Sequence, residues 1–213
     1  MLGEKVMGLR EVDIRLSYIS KGMDNIVDSF LIPALSCSKV YKRSVGFFSS
    51  SVFELLGVGF EKLIENNGTI QVICSPELSE EDVKAIKLGY KLKAELKKEA
   101  INKDIENVLS ELSNDNLLML STLISKGILN VIVVDVIDSI GMYHDKLGYF
   151  EDGFGEKVLF VGSANESSNA YIHNYEKIRV SMSWREGDLE RIEDEMKEFD
   201  GKRLILGWIP YGR

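Results

Sequence analysis

Cysteine, histidine and proline are scarce in this chain: two, two and three residues among 213. Two cysteines, Cys37 and Cys74, build neither a disulfide framework nor a zinc site of clustered ligands. Both lie in apolar surroundings and read as small buried side chains. No cluster of carboxylates accompanies the two histidines, so no metal and no cofactor is expected. Long apolar runs are missing too. A membrane-spanning helix needs about 18 consecutive apolar residues, and the best candidate, residues 117–140, is broken by Ser121, Lys126, Gly127, Asn130 and Asp135. The opening Met1-Leu2-Gly3-Glu4-Lys5 lacks the basic-then-apolar layout of a signal peptide. These absences point to a cytoplasmic protein with no membrane contact. Net positive charge is also missing. At −8 the chain as a whole does not favour a polyanion, although a global count leaves room for a local basic groove.

What is present is enough hydrophobic material, 45% of residues, to bury a sizeable core. Residues 1–12 carry little pattern and read as a leader, 13–200 as one domain, and 201–213 as a tail. Residues 13–19 alternate as an edge strand would. Asp24 is placed to cap a helix from Asn25 to about Ser36, which Pro33 should kink or break. Residues 40–47, 69–74 and 128–137 read as strands, the last rich in β-branched residues. A helix over residues 52–65 follows Ser49–Ser51 and ends at Asn66-Asn67-Gly68, where left-handed backbone is tolerated. The strand-helix-strand run over residues 40–74 implies a parallel pair. Residues 79–82 open a helix that continues to about Leu112, and Asn114 or Asp115 caps another ending at Gly127. Residues 142–151 and 157–162 are strands joined by a hairpin turn at Gly153-Phe154-Gly155. Residues 174–184 form the last strand, and an acidic amphipathic helix spans 187–199. The sum is an α/β chain, a mixed sheet with flanking helices. Lys84 to Lys103 contains seven lysines against two glutamates. This run reads either as a solvated helix face or as a phosphate-contacting one.

Chemistry concentrates between Tyr143 and Glu166. Residues i and i+2 of a strand share a face, so His144 and Lys146 project together while Asp145 points away. A neutral imidazole can attack phosphorus and carry it covalently, and an ammonium can hold a phosphoryl oxygen as a point charge. Ser163 and Asn165, also at i and i+2, can both bond phosphate oxygens. If the two strands pair as a hairpin, all four groups gather at one sheet end, and hydrolysis of a phosphodiester needs nothing further to supply a nucleophile and hold charge.

This pattern resembles the phospholipase D superfamily signature, H-x-K-x4-D followed by G-S/T-x-N. His144 and Lys146 match its first letters, and Gly162-Ser163-x-Asn165 its second block. The likeness is nearest to the single-motif nucleases of that superfamily. It implies that Glu176, thirteen residues beyond Ser163, orients the nucleophilic histidine. The motif acid, five after the lysine, falls on Glu151 rather than an aspartate, with Asp152 beside it. Arg43-Ser44-Val45-Gly46-Phe47-Phe48-Ser49-Ser50 and Gly162–Ser167 further resemble the nuclease-like N-terminal domain of bacterial DEAD/DEAH-box helicases of restriction or defence type. Enzymes of the superfamily use two histidines, and this chain supplies one motif. The resemblance therefore implies a homodimer sharing one active site, a DNA substrate and a helicase, fused or associated. Lys42, Arg43 and the lysines around Lys87, Lys91 and Lys98 are the candidate phosphate contacts, and Tyr143, Tyr149 and Tyr171 could stack on bases or line core and cleft. Two further functions compete with a metal-independent endonuclease: a catalytically degenerate dimerisation and DNA-positioning module, and a lipid phosphodiesterase or phosphatidyltransferase.

Overall fold

A computed structural model of the chain describes residues 7–21, 25–96, 114–135, 143–205 and 207–208. Among the described residues, eight strands form one mixed sheet: β1 (Ser17–Ile19), β2 (Ser38–Val45), β3 (Thr69–Cys74), β4 (Leu129–Asp135), β5 (Lys146–Asp152), β6 (Lys157–Gly162), β7 (Lys177–Met182) and β8 (Gly207–Trp208). Their spatial order is β1-β7-β6-β5-β2-β3-β4-β8. The centre, β2, β3 and β4, is parallel. The expected β-α-β unit is present, with α2 (Val52–Glu65) between β2 and β3. Asn67 takes φ 58° at the end of α2, the left-handed conformation that asparagine tolerates. The expected β5–β6 hairpin is also present, turning at Gly153–Gly155, and β7 and β1 continue antiparallel to the edge.

Strand alternation divides the buried residues between two faces. Tyr41, Phe150, Phe160, Val158, Ile178 and Val180 point to one side, against α1 (Ile32–Cys37), α2, α3 (Glu80–Leu96) and α4 (Asp115–Ser125). Aromatic rings dominate there: Phe30 meets both Phe150 and Phe160 edge-on, and Tyr41 stacks on Phe150. Leu147, Tyr149, Leu159 and Ile132 point to the other side, which α6 (Asp188–Ile205) covers with Ile192 and Phe199. Asn114 caps α4 by accepting the Leu117 N–H at 3.0 Å. A short helix that the sequence did not suggest, α5 (Ser168–Ile172), lies in the β6–β7 connection.

Several expectations are revised. Residues 7–12 are not loose: Leu9 is fully buried and its N–H donates to Asp152 Oδ2 at 2.8 Å. Pro33 does not break a helix in its middle. The helix runs on from Ile26 to Cys37, π-wound over Val27–Leu31 and α-helical as α1 from Ile32, so the disturbance expected near Pro33 is a change of winding and not a break. The acidic helix runs past Phe199 to Ile205, and β8 pairs with β4, so structure extends into the expected tail. The Asp24 cap, the lysine-rich stretch beyond Leu96 with Lys98, Met142 and residues 209–213 fall outside the described residues.

Candidate active site

All five residues singled out by the motif reach one edge of the sheet. β2, β3 and β4 end there, β5 begins there at Lys146, β6 ends there at Gly162, and β7 begins there at Lys177. His144 lies two residues before β5 rather than inside a strand. Its position is set by its neighbours. The Ser44 hydroxyl bonds the Tyr143 hydroxyl and donates to Asp145 Oδ2 at 2.8 Å, so both flanking residues are tied to β2. His144 is left exposed at the edge.

Lys146 Nζ lies 2.8 Å from His144 Nε2. An ammonium has donors and no acceptor, so Nε2 must accept and the neutral ring carries its proton on Nδ1. The nucleophilic lone pair therefore points at the cation that would hold a phosphoryl oxygen. The Lys146 pKa is lowered, mainly by burial and secondarily by the charge of Arg43, against the opposing pull of Glu176 and Asp145.

Ser163 and Asn165 are held so that their donors stay available. The Ser163 hydroxyl accepts the Lys177 N–H at 3.2 Å, leaving its own proton to donate. Asn165 Oδ1 accepts the Phe47 N–H at 3.1 Å, which leaves its NH2 group to face a ligand. Gly162 is required by close approach: a Cβ there would lie 2.1 Å from the Lys177 carbonyl oxygen. Gly46 serves His144 in the same way, since its Cβ would sit 3.0 Å from the imidazole Cδ2.

Glu176 is 6% exposed and accepts from Asn174 Nδ2 at 3.2 Å. No hydrogen bond joins it to His144 among the described residues. Its carboxylate acts on Lys146 instead, electrostatically.

The other candidates are corrected. Arg43 is 1% exposed and is not a substrate contact. Its Nε donates to Glu166 Oε2 at 2.7 Å, Nη1 to the Leu147 carbonyl at 2.9 Å and Nη2 to the Ala164 carbonyl at 2.7 Å. Glu166, equally buried, also accepts from the Tyr41 and Tyr171 hydroxyls. Burial opposes the guanidinium charge, but Tyr171, Glu166 and Tyr41 outweigh it and hold the pKa above its ordinary value. Burial and Glu166 keep both phenols protonated. Lys42 alternates to the α6 face, where Asp200 takes its ammonium at 2.8 Å. Lys87 and Lys91 lie on the exposed side of α3. Neighbouring Tyr90 bonds Asn130 and Val131 at the start of β4, so this stretch is at the sheet end remote from His144. Glu151 accepts the Tyr149 hydroxyl at 2.5 Å near the far end of β5. Asp152 beside it is a structural acid, accepting the N–H groups of Leu9, Phe154 and Glu156. Tyr143, Tyr149 and Tyr171 are all buried and offer no face to a base.

Ser44, Gly46 and Glu166 were missed. The one signal available was an acid directly after Asn165.

No family model matches the sequence, and no curated protein is similar enough to it to count as a relative. Solved structures do resemble it. Phosphatidylserine synthase from Haemophilus influenzae superposes with a TM-score of 0.53 at 15% identity, over 92% of this chain and 40% of that one. Nuc from Salmonella typhimurium, a phospholipase D family member, gives 0.46 at 10% identity, over 91% and 97%. NucT from Helicobacter pylori gives 0.47 at 14%, over 86% and 94%. The chain has a phospholipase D-like fold. Within that fold, His144, Lys146, Ser163 and Asn165 occupy one sheet edge. No helix among the described residues is long and apolar enough to cross a membrane.

Proposed function

We propose that the chain is a phosphodiesterase that cleaves DNA through a covalent phosphohistidine, without a metal ion, in a homodimer that shares one active site. The observation that carries this reading is the 2.8 Å approach of Lys146 Nζ to His144 Nε2. It aligns a neutral nucleophile with the cation that would bind its target, next to the hydroxyl and carboxamide donors of Ser163 and Asn165. Nε2 attacks phosphorus, an N–P bond forms, and the P–O bond to the leaving group breaks. The His144 of a second copy, which enters the reaction as the imidazolium, gives its proton to the leaving oxygen and becomes the neutral ring. That ring then takes a proton from water as the water oxygen attacks phosphorus and the N–P bond breaks. Lys146, Ser163 and Asn165 hold the non-bridging oxygens throughout.

The second copy is needed because the chain carries His-x-Lys once: its other histidine, His173, has Tyr175 rather than a lysine two residues on. Phe47, just after β2, and Ile172 and Tyr175, in the β6–β7 connection that carries Asn165 and Glu176, support the pairing: they are 36%, 47% and 68% exposed. A two-fold contact at this edge would cover them and bring both histidines to the axis. A helicase-linked restriction or defence role fits the resemblance of residues 43–50 and 162–167. The test is cleavage of labelled DNA in the presence of EDTA, with phosphatidyl substrates as a parallel arm and sedimentation to measure mass. Wild-type chain should cut DNA as a dimer, and His144→Ala should lose at least a thousandfold in rate. A strict monomer that cuts DNA would refute the shared site. A folded dimer that binds DNA without cutting it would favour the degenerate positioning module.

A further inference from the structure

Among the described residues, the cations that the sequence suggested for phosphate contact are buried, engaged, or at the wrong end of the sheet. β7 offers others. Lys177 and Arg179 stand at i and i+2 on this strand, so they share a face, and both are exposed. Lys177 is bonded through its backbone to Ser163 in both directions: its N–H donates to Ser163 Oγ and its carbonyl accepts the Ser163 N–H, each at 3.2 Å. Its side chain therefore leaves the strand directly beside the Gly162-Ser163 turn. Arg179 lies opposite Val161, one step along. From there a groove of about 300 Å³ runs between the sheet and α6, lined by Leu159, Val161, Arg179, Arg185 and Arg191 among others.

The charge balance of this groove is uneven. Among the described residues neither Lys177 nor Arg179 has an ion pair. Arg185 faces Asp188 at 3.9 Å, and Asp188 also accepts the Met182 N–H. Glu195, one helical turn from Arg191, adds a second acid to the same groove. The uncompensated positive charge therefore sits at the catalytic end, on Lys177 and Arg179. The acidic outer face of α6 would keep a polyanion on the β7 side.

We propose that Lys177 and Arg179 hold the phosphates of a nucleic-acid strand next to the scissile one, guiding that strand past Ser163. The proposal rests on the nuclease reading above and names its missing backbone contacts. The lysine acts as a point charge and the arginine as a fork for phosphate oxygens. Such contacts position the strand without reading sequence.

The experiment is fluorescence anisotropy of a labelled single-stranded DNA oligonucleotide over a salt series, in the His144→Ala background so that nothing turns over. An RNA oligonucleotide of equal length is the second arm, and cleavage by the wild-type histidine is followed in parallel. Lys177→Ala and Arg179→Ala should each weaken binding several-fold and reduce the slope of log K against log salt by about 0.7, the value for one phosphate contact to a single strand. Arg179→Glu should weaken it further. Lys126→Ala, the same charge change at the opposite sheet end, should alter neither. Both β7 side chains are exposed, so circular dichroism and Tm should be unchanged. If the chain neither binds nor cuts nucleic acid, the nuclease reading fails and this proposal with it. If it cuts, but the β7 variants bind with the parental slope, the track alone is wrong. An equal loss in Lys126→Ala would reduce the effect to net charge and overturn the track as well.

Discussion

Replacing Arg43 with methionine separates a buried scaffold from a substrate contact. Arg43 and Glu166 are each 1% exposed and 2.7 Å apart. Removing the cation leaves a carboxylate buried with two phenols for company, and strands the carbonyls of Leu147 and Ala164. Breaking a buried pair from one side costs about 3–5 kcal/mol. For a domain of this size each kcal/mol moves Tm by about 2–4 °C, so Arg43→Met should lower Tm by roughly 6–20 °C. That is a large part of a typical stability of about 5–15 kcal/mol. The double variant Arg43→Met/Glu166→Leu removes both charges and should recover most of the loss, giving a favourable coupling energy in the cycle. Tyr171→Phe, which deletes one bond to each ion, should be destabilising by about 1–3 kcal/mol and remain folded if Arg43→Met does not. The assay is thermal denaturation by circular dichroism alongside DNA anisotropy. An Arg43→Met chain that keeps its Tm within about 2 °C and loses DNA affinity would refute the scaffold role and restore Arg43 as a substrate contact.

Two other expectations concern the catalytic edge. In the proposed reaction Lys146 works as an ammonium, charged below its pKa and neutral above it. Because burial lowers that pKa, kcat/KM should fall on the alkaline side before the ordinary lysine value of about 10.4. Glu176 pulls the pKa up, so Glu176→Gln should move this limb to still lower pH; a limb at or above the ordinary value in a pH–rate profile would contradict the assignment. Gly162→Ala forces a Cβ to 2.1 Å from the Lys177 carbonyl oxygen. The β6–β7 edge must open, and we expect a stability loss of about 1–3 kcal/mol together with loss of cleavage, measured by Tm and DNA hydrolysis.

The elements were largely legible because each rests on local pattern. α2 follows from apolar periodicity between Ser51 and the Asn-Asn-Gly stop, and the β5–β6 hairpin from two alternating runs around Gly153–Gly155. The meeting of the segments that hold His144, Lys146, Ser163 and Asn165 was legible as well, because the β5–β6 hairpin brings the start of β5 and the end of β6 to one end. Charged contacts were not legible. Arg43 and Lys42 are adjacent in sequence, yet one is sealed in the core and the other is held by Asp200, 158 residues away. Nothing local distinguishes them, since their partners arrive from β5, the turn after β6, α5 and α6.

By itself, then, the sequence determined the sheet-and-helix framework and the identity of the groups that can attack and hold a phosphate. These depend on periodicity, turn chemistry and residue type, all of which are local. Only the tertiary structure decided which charges are available. It buried Arg43 against Glu166, engaged Lys42, placed Lys91 at the far end of the sheet, and left Lys177 and Arg179 near Ser163 with no ion pair among the described residues. An ion's role depends on its desolvation and on the partner that neutralises it, and both are set by chain segments that meet only when the sheet is assembled.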